Sequence, residues 1–137
     1  MNTQHYFKNN FMEMNPMHDC FIAEILLQDK SLIVIYDNLA QDVLGTPSCK
    51  SRKLTIKYRF ESFCYATFYN DNKIKSFDLM EEWDRFNKLK NKLVFISYKY
   101  SVDSFKDVTL NYCINGRSKY YNMDIYMDVE EITYLWE

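Results

Sequence analysis

Histidine, aspartate and cysteine follow one another at His18, Asp19 and Cys20, and these residue types can perform hydrolytic or nucleophilic chemistry. A metal-dependent hydrolase would use the His-Asp pair to hold an ion that activates water. Such a site needs further histidines, yet the only other histidine is His5, in a polar stretch. The sequence therefore predicts no metal site. We expect His18 and Asp19 to be hydrogen-bonded in a turn that leads into the first predicted strand.

The other catalytic arrangements are also disfavoured by spacing. His18 and Cys20 can share one face of a strand without the imidazole pointing at the sulfur, and no third group is placed to orient them. Adjacent strand residues point to opposite faces, which opposes zinc binding by His18, Asp19 and Cys20. No serine lies in a G-x-S-x-G motif. We predict no catalytic residue and no cofactor; enzymatic activity stays an open question, with non-enzymatic function favoured.

The composition is that of a folded domain. The chain has 137 residues, of which 18% are aromatic, and 17 basic residues face 19 acidic ones. One domain over residues 1–137 is expected at this length, and the even charge balance disfavours a nucleic-acid partner. The first residues have no apolar signal core and no window is apolar enough to span a bilayer, so we expect a cytoplasmic protein with no membrane partner. The four cysteines show no metal-binding spacing and are expected to be reduced, mostly buried thiols.

Alternating apolar and polar residues indicate the strands that must position any site. Residues 51–60 put Leu54, Ile56 and other apolar side chains on one face and a basic series on the other. Residues 120–132 put apolar side chains inward and an acidic series outward. If these two strands were neighbours, their outer faces would pair opposite charges. Further strands are predicted at 20–28, 31–37, 62–70, 92–100 and 107–114.

Turn and helix signals complete the predicted fold. Asp29-Lys30 predicts a tight hairpin, and Asn115-Gly116 predicts a type I′ turn. Apolar residues spaced by three and four over 76–92 predict one helix near residues 78–90, capped by Asp78. Residues 38–50 predict an irregular loop that could carry a site. Together these features predict an α+β fold, a mostly antiparallel sheet of about seven strands, sandwich-like or strongly curved, with one helix.

The segment "MHDCFIAEILLQDKSLIVIYD", followed by the strand "LTIKYRF" and an acidic-aromatic tail, resembles a group of small, largely uncharacterised bacterial proteins. Members begin with a His-Asp dipeptide that leads into a hairpin, and the group includes immunity proteins of polymorphic toxin systems. The richness in Lys, Asn, Tyr, Ile and Phe is also typical of low-GC bacterial genomes. The resemblance implies a small, mostly antiparallel domain that binds a protein partner, such as a toxin.

Three functions remain as hypotheses. The first is a non-enzymatic protein-interaction domain, with a bacterial toxin-immunity protein as its specific form, because abundant aromatics can anchor an interface. The second is a small ligand-binding domain or enzyme with a pocket between sheet and helix near Trp83, where Glu81, Glu82 and Asp84 are candidates for acid-base chemistry. The third is a structural homo-oligomer. The candidate binding residues are His18, Asp19, Trp83, Asp124, Asp128 and Glu130.

Overall fold

The structure, a computed structural model, describes residues 2–7, 20–37, 53–103, 107–115 and 119–137. Eight strands and one short helix form in these residues. In chain order they are β1 (Asn2–Phe7), β2 (Cys20–Gln28), β3 (Ser31–Asp37), β4 (Lys53–Tyr69), β5 (Ile74–Asp78), α1 (Trp83–Lys90), β6 (Val94–Asp103), β7 (Asp107–Asn115) and β8 (Asn122–Trp136).

The sheet closes on itself. Its order is β1-β8-β7-β6-β2-β3-β4-β5, and an additional pairing of β8 with β4 joins six of the strands into a barrel. All of these pairings are antiparallel. The prediction of a mostly antiparallel sheet with one helix is confirmed, but the sandwich-like arrangement is wrong. Closure removes the sheet edges that a sandwich would expose on these six strands.

The two longest strands, β4 and β8, lie side by side from Leu54 opposite Trp136 to Tyr69 opposite Asn122. The two strands considered as possible neighbours therefore do pair, but the basic segment lies opposite residues 129–136 and overlaps the acidic segment only at its end. The strands predicted at 51–60 and 62–70 are one continuous strand, because the break between them is an irregularity within β4 and not a turn. Phe60 pairs with Val129 and Cys64 pairs with Met127, so the residues between Phe60 and Cys64 bulge out of the ladder.

Two short strands were not predicted. β1 pairs with the second half of β8, and β5 pairs with the end of β4. Because β5 occupies residues predicted as helix, α1 begins at Trp83 and not near residue 78. Asp78 ends β5, and its carboxylate accepts a hydrogen bond from the Met80 N–H at 3.1 Å in the turn before the helix. The predicted cap is therefore wrong: Glu82 is the N-cap residue and makes no side-chain cap bond.

The first hairpin has the predicted two-residue connection, with Gln28 paired to Ser31 and Asp29 at φ 54°. Aspartate tolerates this left-handed conformation better than most residues, which explains its place in the turn. The second predicted hairpin is wrong in length. β7 ends at Asn115 and β8 begins at Asn122, so the connection is longer than a type I′ turn; Gly116 itself lies outside the described residues.

Buried residues form one cluster that includes inward side chains of the barrel strands and reaches under α1. Phe68 of β4 lies at its helix end, with its ring centroid 5.9 Å from those of Phe77 on β5 and Phe86 on α1. Cys64 is fully buried in this core, as predicted for the thiols. Among the described residues, no helix has the length and apolar composition needed to cross a membrane.

Candidate functional site

The predicted binding residues His18 and Asp19 lie outside the described residues, as does the loop 38–50. Trp83 is half-buried at the start of α1, where its ring centroid lies 5.2 Å from that of Phe86. The Nζ atom of Lys90 lies 6.0 Å from the centroid of the Trp83 ring. Trp83 therefore packs against its own helix.

The carboxylates proposed for acid-base chemistry lie around the start of α1. Glu82 accepts a hydrogen bond from Arg85 Nη1 at 2.8 Å and another from the Asp78 N–H at 3.2 Å, so it holds the turn that leads into the helix. Glu81 and Asp84 are exposed. None of these three carboxylates lines the two clefts described below.

Asp128 on β8 lies opposite the bulge in β4, and its carboxylate takes the place of a missing backbone acceptor. It accepts hydrogen bonds from the Ser62 N–H at 3.0 Å, from the Phe63 N–H at 2.9 Å and from the Ser62 hydroxyl. Partial burial alone would raise the pKa of Asp128, but these hydrogen bonds outweigh burial and lower it. Asp128 therefore stays ionised and fixes the bulge.

The other two predicted acidic residues on β8 also have partners within the chain. Asp124 Oδ1 accepts hydrogen bonds from Asn111 Nδ2 at 2.6 Å and from the Tyr69 hydroxyl at 3.2 Å. Partial burial and the nearby Asp124 carboxylate raise the pKa of Tyr69. Glu130 lies 3.4 Å from the guanidinium of Arg59, which also contacts Glu131 at 3.2 Å. The predicted pairing of opposite charges across β4 and β8 thus forms at Arg59.

Three aromatic rings stack beside these carboxylates on the outside of the barrel. The ring centroid of Phe63 lies 5.7 Å from that of Tyr65 and 5.2 Å from that of Tyr126. Tyr65 is 42% exposed and Tyr126 is 36% exposed. The Tyr126 hydroxyl donates to Asp107 Oδ2 at 2.5 Å, which ties the stack to β7. We call the surface formed by these residues the acidic aromatic face: Phe63, Tyr65, Asp107, Asp124, Tyr126 and Asp128.

The cross-strand neighbours of this face in the described strands carry no positive charge. The residues paired across strands with Tyr65, Asp124 and Tyr126, apart from members of the face itself, are uncharged or acidic: Thr67, Asp78, Thr109 and Asn111. The face therefore presents aromatic surface among acidic side chains, and cations border it beyond the bulge, where Lys30 Nζ donates to the Glu61 carbonyl and Arg59 pairs with Glu130.

A small cleft of about 140 Å³ lies between β2 and the end of α1. Lys90 lines it and is only 5% exposed. Its Nζ atom donates to Glu24 Oε1 at 2.8 Å and to Asn91 Oδ1 at 3.1 Å. The hydrogen bond from Lys90 lowers the pKa of Glu24. The ion pair thus joins the helix end to the barrel and leaves the Lys90 ammonium with two oxygen partners.

A second cleft of about 520 Å³ opens between β5, α1 and the segment before β8. It lies between sheet and helix, where the sequence suggested a pocket, but Trp83 does not line it. Its lining is basic instead, with side chains from three parts of the chain: Lys75, Arg85, Lys88, Lys92 and Lys119. We call it the basic cleft.

Comparison of the chain with protein-family models, with curated proteins and with solved structures found no match. Function must therefore be argued from the geometry of these surfaces.

The sequence indicated the acidic residues but not the aromatic stack or the basic cleft. Phe63 lies in the bulge and Tyr65 just after it; alternation from Phe60 places both on the outer face, but the exposed Ser62 interrupts the pattern and obscures this signal. One signal for the basic cleft was present, since Arg85, Lys88 and Lys92 follow one another at spacings of three and four, which places them on one side of a helix.

Proposed function

We propose that this chain is a non-enzymatic protein-interaction domain that binds a partner protein through the acidic aromatic face. The observation that carries the proposal is the exposed stack of Phe63, Tyr65 and Tyr126. Exposed aromatic side chains dominate the energetics of many protein interfaces. These three rings are already held against one another, so binding would cost little further side-chain entropy.

The backbone beneath the stack supports the same proposal. Phe63 and Tyr65 lie on β4 and Tyr126 lies on β8, within the longest strand pairing of the barrel. Asp128 fixes the bulge that carries Phe63 by bonding to two successive backbone N–H groups. A surface built on paired strands keeps its shape before the partner arrives, which favours specific binding.

The charge of the face determines the kind of partner. Asp107, Asp124 and Asp128 accept hydrogen bonds within the chain, and the bonds to Ser62 and Phe63 lower the pKa of Asp128. Their field would attract a basic surface and speed its association. We infer a partner that presents an apolar patch ringed by lysine or arginine.

The specific form of this proposal is an immunity protein that binds and blocks a toxin. Its support is the resemblance of the N-terminal segment described above, joined to a rigid surface suited to a protein partner. A structural homo-oligomer is the competing outcome, and the same experiment separates the two.

The test begins with capture of the partner from lysate of the source cells on the tagged chain. The purified complex is then studied by size-exclusion chromatography with light scattering and by surface plasmon resonance. Replacing both Tyr65 and Tyr126 with alanine should weaken binding by about 30-fold or more, since loss of an interface hot spot costs roughly 2 kcal/mol. Tyr121→Ala removes a more exposed tyrosine outside the face and should leave affinity unchanged.

The contribution of charge to binding is measured separately. Replacing Asp107 and Asp124 with Asn keeps side-chain shape and removes two negative charges of the face. We expect slower association and a weaker dependence of the association rate on salt, with little change in dissociation. Unchanged association kinetics would remove the role of charge. A lone monomer or homodimer with no stoichiometric partner would contradict the proposal as a whole.

A further inference from the structure

We propose that the basic cleft is a second binding site, for a small ligand that carries several phosphate groups. It is separate from the acidic aromatic face and does not depend on the function proposed for that face. Five cationic side chains from different elements converge on the lining of the cleft. Lys75 comes from β5, Arg85 and Lys88 from α1, Lys92 from the turn after α1, and Lys119 from the segment before β8.

The positive charge of the cleft is largely uncompensated. None of the described residues that line it is acidic. Arg85 has a partner at the rim, because its Nη1 lies 2.8 Å from Glu82 Oε1. In contrast, Lys75, Lys88, Lys92 and Lys119 have no carboxylate within ion-pair distance in the described part of the chain. Like charges brought together in this way repel one another and destabilise the free fold.

Position in the helix explains only part of this arrangement. Lys88 lies in the last turn of α1, where a cation is favoured by the helix dipole. That explanation does not extend to Lys75 on β5 or to Lys119 near β8, which approach the cleft from other sides. A multivalent anion explains all of them together, since it would replace repulsion among the lysines with attraction.

The size and the apolar wall of the cleft favour a small molecule. Its volume of about 520 Å³ falls in the range of ordinary small-ligand pockets, roughly 300 to 1,000 Å³. Leu89 and Leu93 contribute apolar surface, and the half-buried Tyr120 adds an aromatic ring. Lysine ammonium groups act as mobile point charges that suit phosphate oxygens. Phosphates would lie among the lysines, and an organic part of the ligand would lie against Tyr120.

Two of the cations that line the cleft also contact the ring of Phe77. Lys75 Nζ lies 5.6 Å from the centroid of the Phe77 ring, and the Arg85 guanidinium carbon lies 5.8 Å from it. Attraction to the ring holds both cations at the cleft without neutralising them. Their charge therefore remains for a ligand.

The experiment uses isothermal titration calorimetry and thermal shift on the full chain with sodium triphosphate and with ATP. Both should bind and raise the melting temperature at low salt, with affinity falling as sodium chloride is raised. Equal affinity would mean that the phosphates alone are recognised, whereas tighter ATP binding would add a contact to Tyr120. Both results support the site.

The matched variants are Lys92→Gln with Lys119→Gln in the cleft, and Lys57→Gln as the control on the exposed outer side of β4. The double variant with Lys92→Gln and Lys119→Gln should weaken triphosphate binding by about tenfold or more per lysine, since loss of a hydrogen bond to a charged group lowers affinity by about that factor. The free double variant should melt at the same or a higher temperature than the natural chain, because repulsion in the cleft is reduced. Lys57→Gln should change neither quantity.

Three results would overturn the proposal. One is a thermal shift with triphosphate no larger than that given by sodium chloride at the same ionic strength. Another is equal weakening by Lys57→Gln and by the cleft pair. The third is binding of an oligoglutamate peptide with no binding of triphosphate or ATP, which would assign the cleft to an acidic protein segment.

Discussion

Replacing Glu24 with glutamine should destabilise the fold more than replacing its partner Lys90 with methionine. Intuition suggests equal losses, because each change removes the same ion pair. The two side chains differ in environment, however: that of Lys90 is 6% exposed and that of Glu24 is 45% exposed. The cost of each change depends on which charge is left behind and whether water can reach it.

The magnitude follows from this asymmetry. Glu24→Gln leaves a buried ammonium that keeps only amide oxygens as partners, from Asn91 and from the new glutamine. Two charges in contact attract by about 1 kcal/mol in water and about 4 kcal/mol near a protein surface. Because Glu24 is half-exposed, we expect an intermediate loss of about 2 kcal/mol.

Lys90→Met removes the buried charge itself. The methionine side chain can keep much of the packing of the lysine stem in the cleft, and Glu24, left alone, is rehydrated. The lost attraction and the relieved desolvation of the ammonium nearly cancel. We therefore expect the free energy of unfolding to stay within about 1 kcal/mol of the natural value.

Urea unfolding followed by tryptophan fluorescence measures both variants and their double mutant. Glu81→Gln, at an exposed carboxylate close to the same helix, is the control and should change stability by less than about 0.5 kcal/mol. If Lys90→Met lost more free energy than Glu24→Gln, the assignment of the burial cost to Lys90 would be wrong.

Four further outcomes are expected. Asp128→Asn should lower the free energy of unfolding by about 2 kcal/mol in urea melts, because a neutral amide accepts more weakly from the bulge N–H groups. An unchanged free energy of unfolding would mean that the bulge does not depend on the Asp128 carboxylate. The pKa values of Asp128 and Glu24 are lowered on folding, so stability from these groups is present above about pH 4 and is lost as the pH falls further, which acid titration by circular dichroism would show. Burial raises the pKa of Cys64, so the native labelling rate with a thiol reagent should be the same for the natural chain and Cys64→Ala; faster labelling of the natural chain would contradict its burial. Asp29→Val should cost about 1 to 2 kcal/mol in urea melts because of the positive φ at the hairpin, while Asp29→Asn should be neutral.

The sequence predicted those strands whose two faces differ in polarity. In β4 the side chains of Leu54, Ile56 and Tyr58 are buried while Lys57 and Arg59 are exposed, and this alternation survives into the structure. What could not be predicted is closure of the sheet. Closure depends on which strands pair far apart in the chain, and alternation within a strand carries no information on its partners.

The missed elements have local reasons. β5 is five residues long and runs directly into the turn before α1, where Leu79 fitted the helical spacing that continues through Trp83 and Phe86. The bulge in β4 divided one strand into two apparent ones, because exposed Ser62 stands where alternation from Phe60 requires a buried side chain. In each case the local sequence pattern is present, but pairing with another strand determines which secondary structure forms.

The even charge balance, a net charge of −2, disfavoured a nucleic-acid partner, yet net charge is a sum over a surface on which charges are separated. β5 lies at the boundary: Lys75 and Phe77 contribute to the basic cleft, while Ser76 and Asp78 pair across strands with residues on or next to the acidic aromatic face. Successive side chains of a strand point to opposite sides of the sheet. One strand can therefore separate a positively charged surface from a negatively charged one by only a few ångströms. Net charge therefore governs long-range attraction, but a binding site depends on the charges that one surface gathers. The two surfaces lie on opposite sides of this strand, so a protein at the face and a phosphorylated ligand in the cleft need not compete for the same atoms.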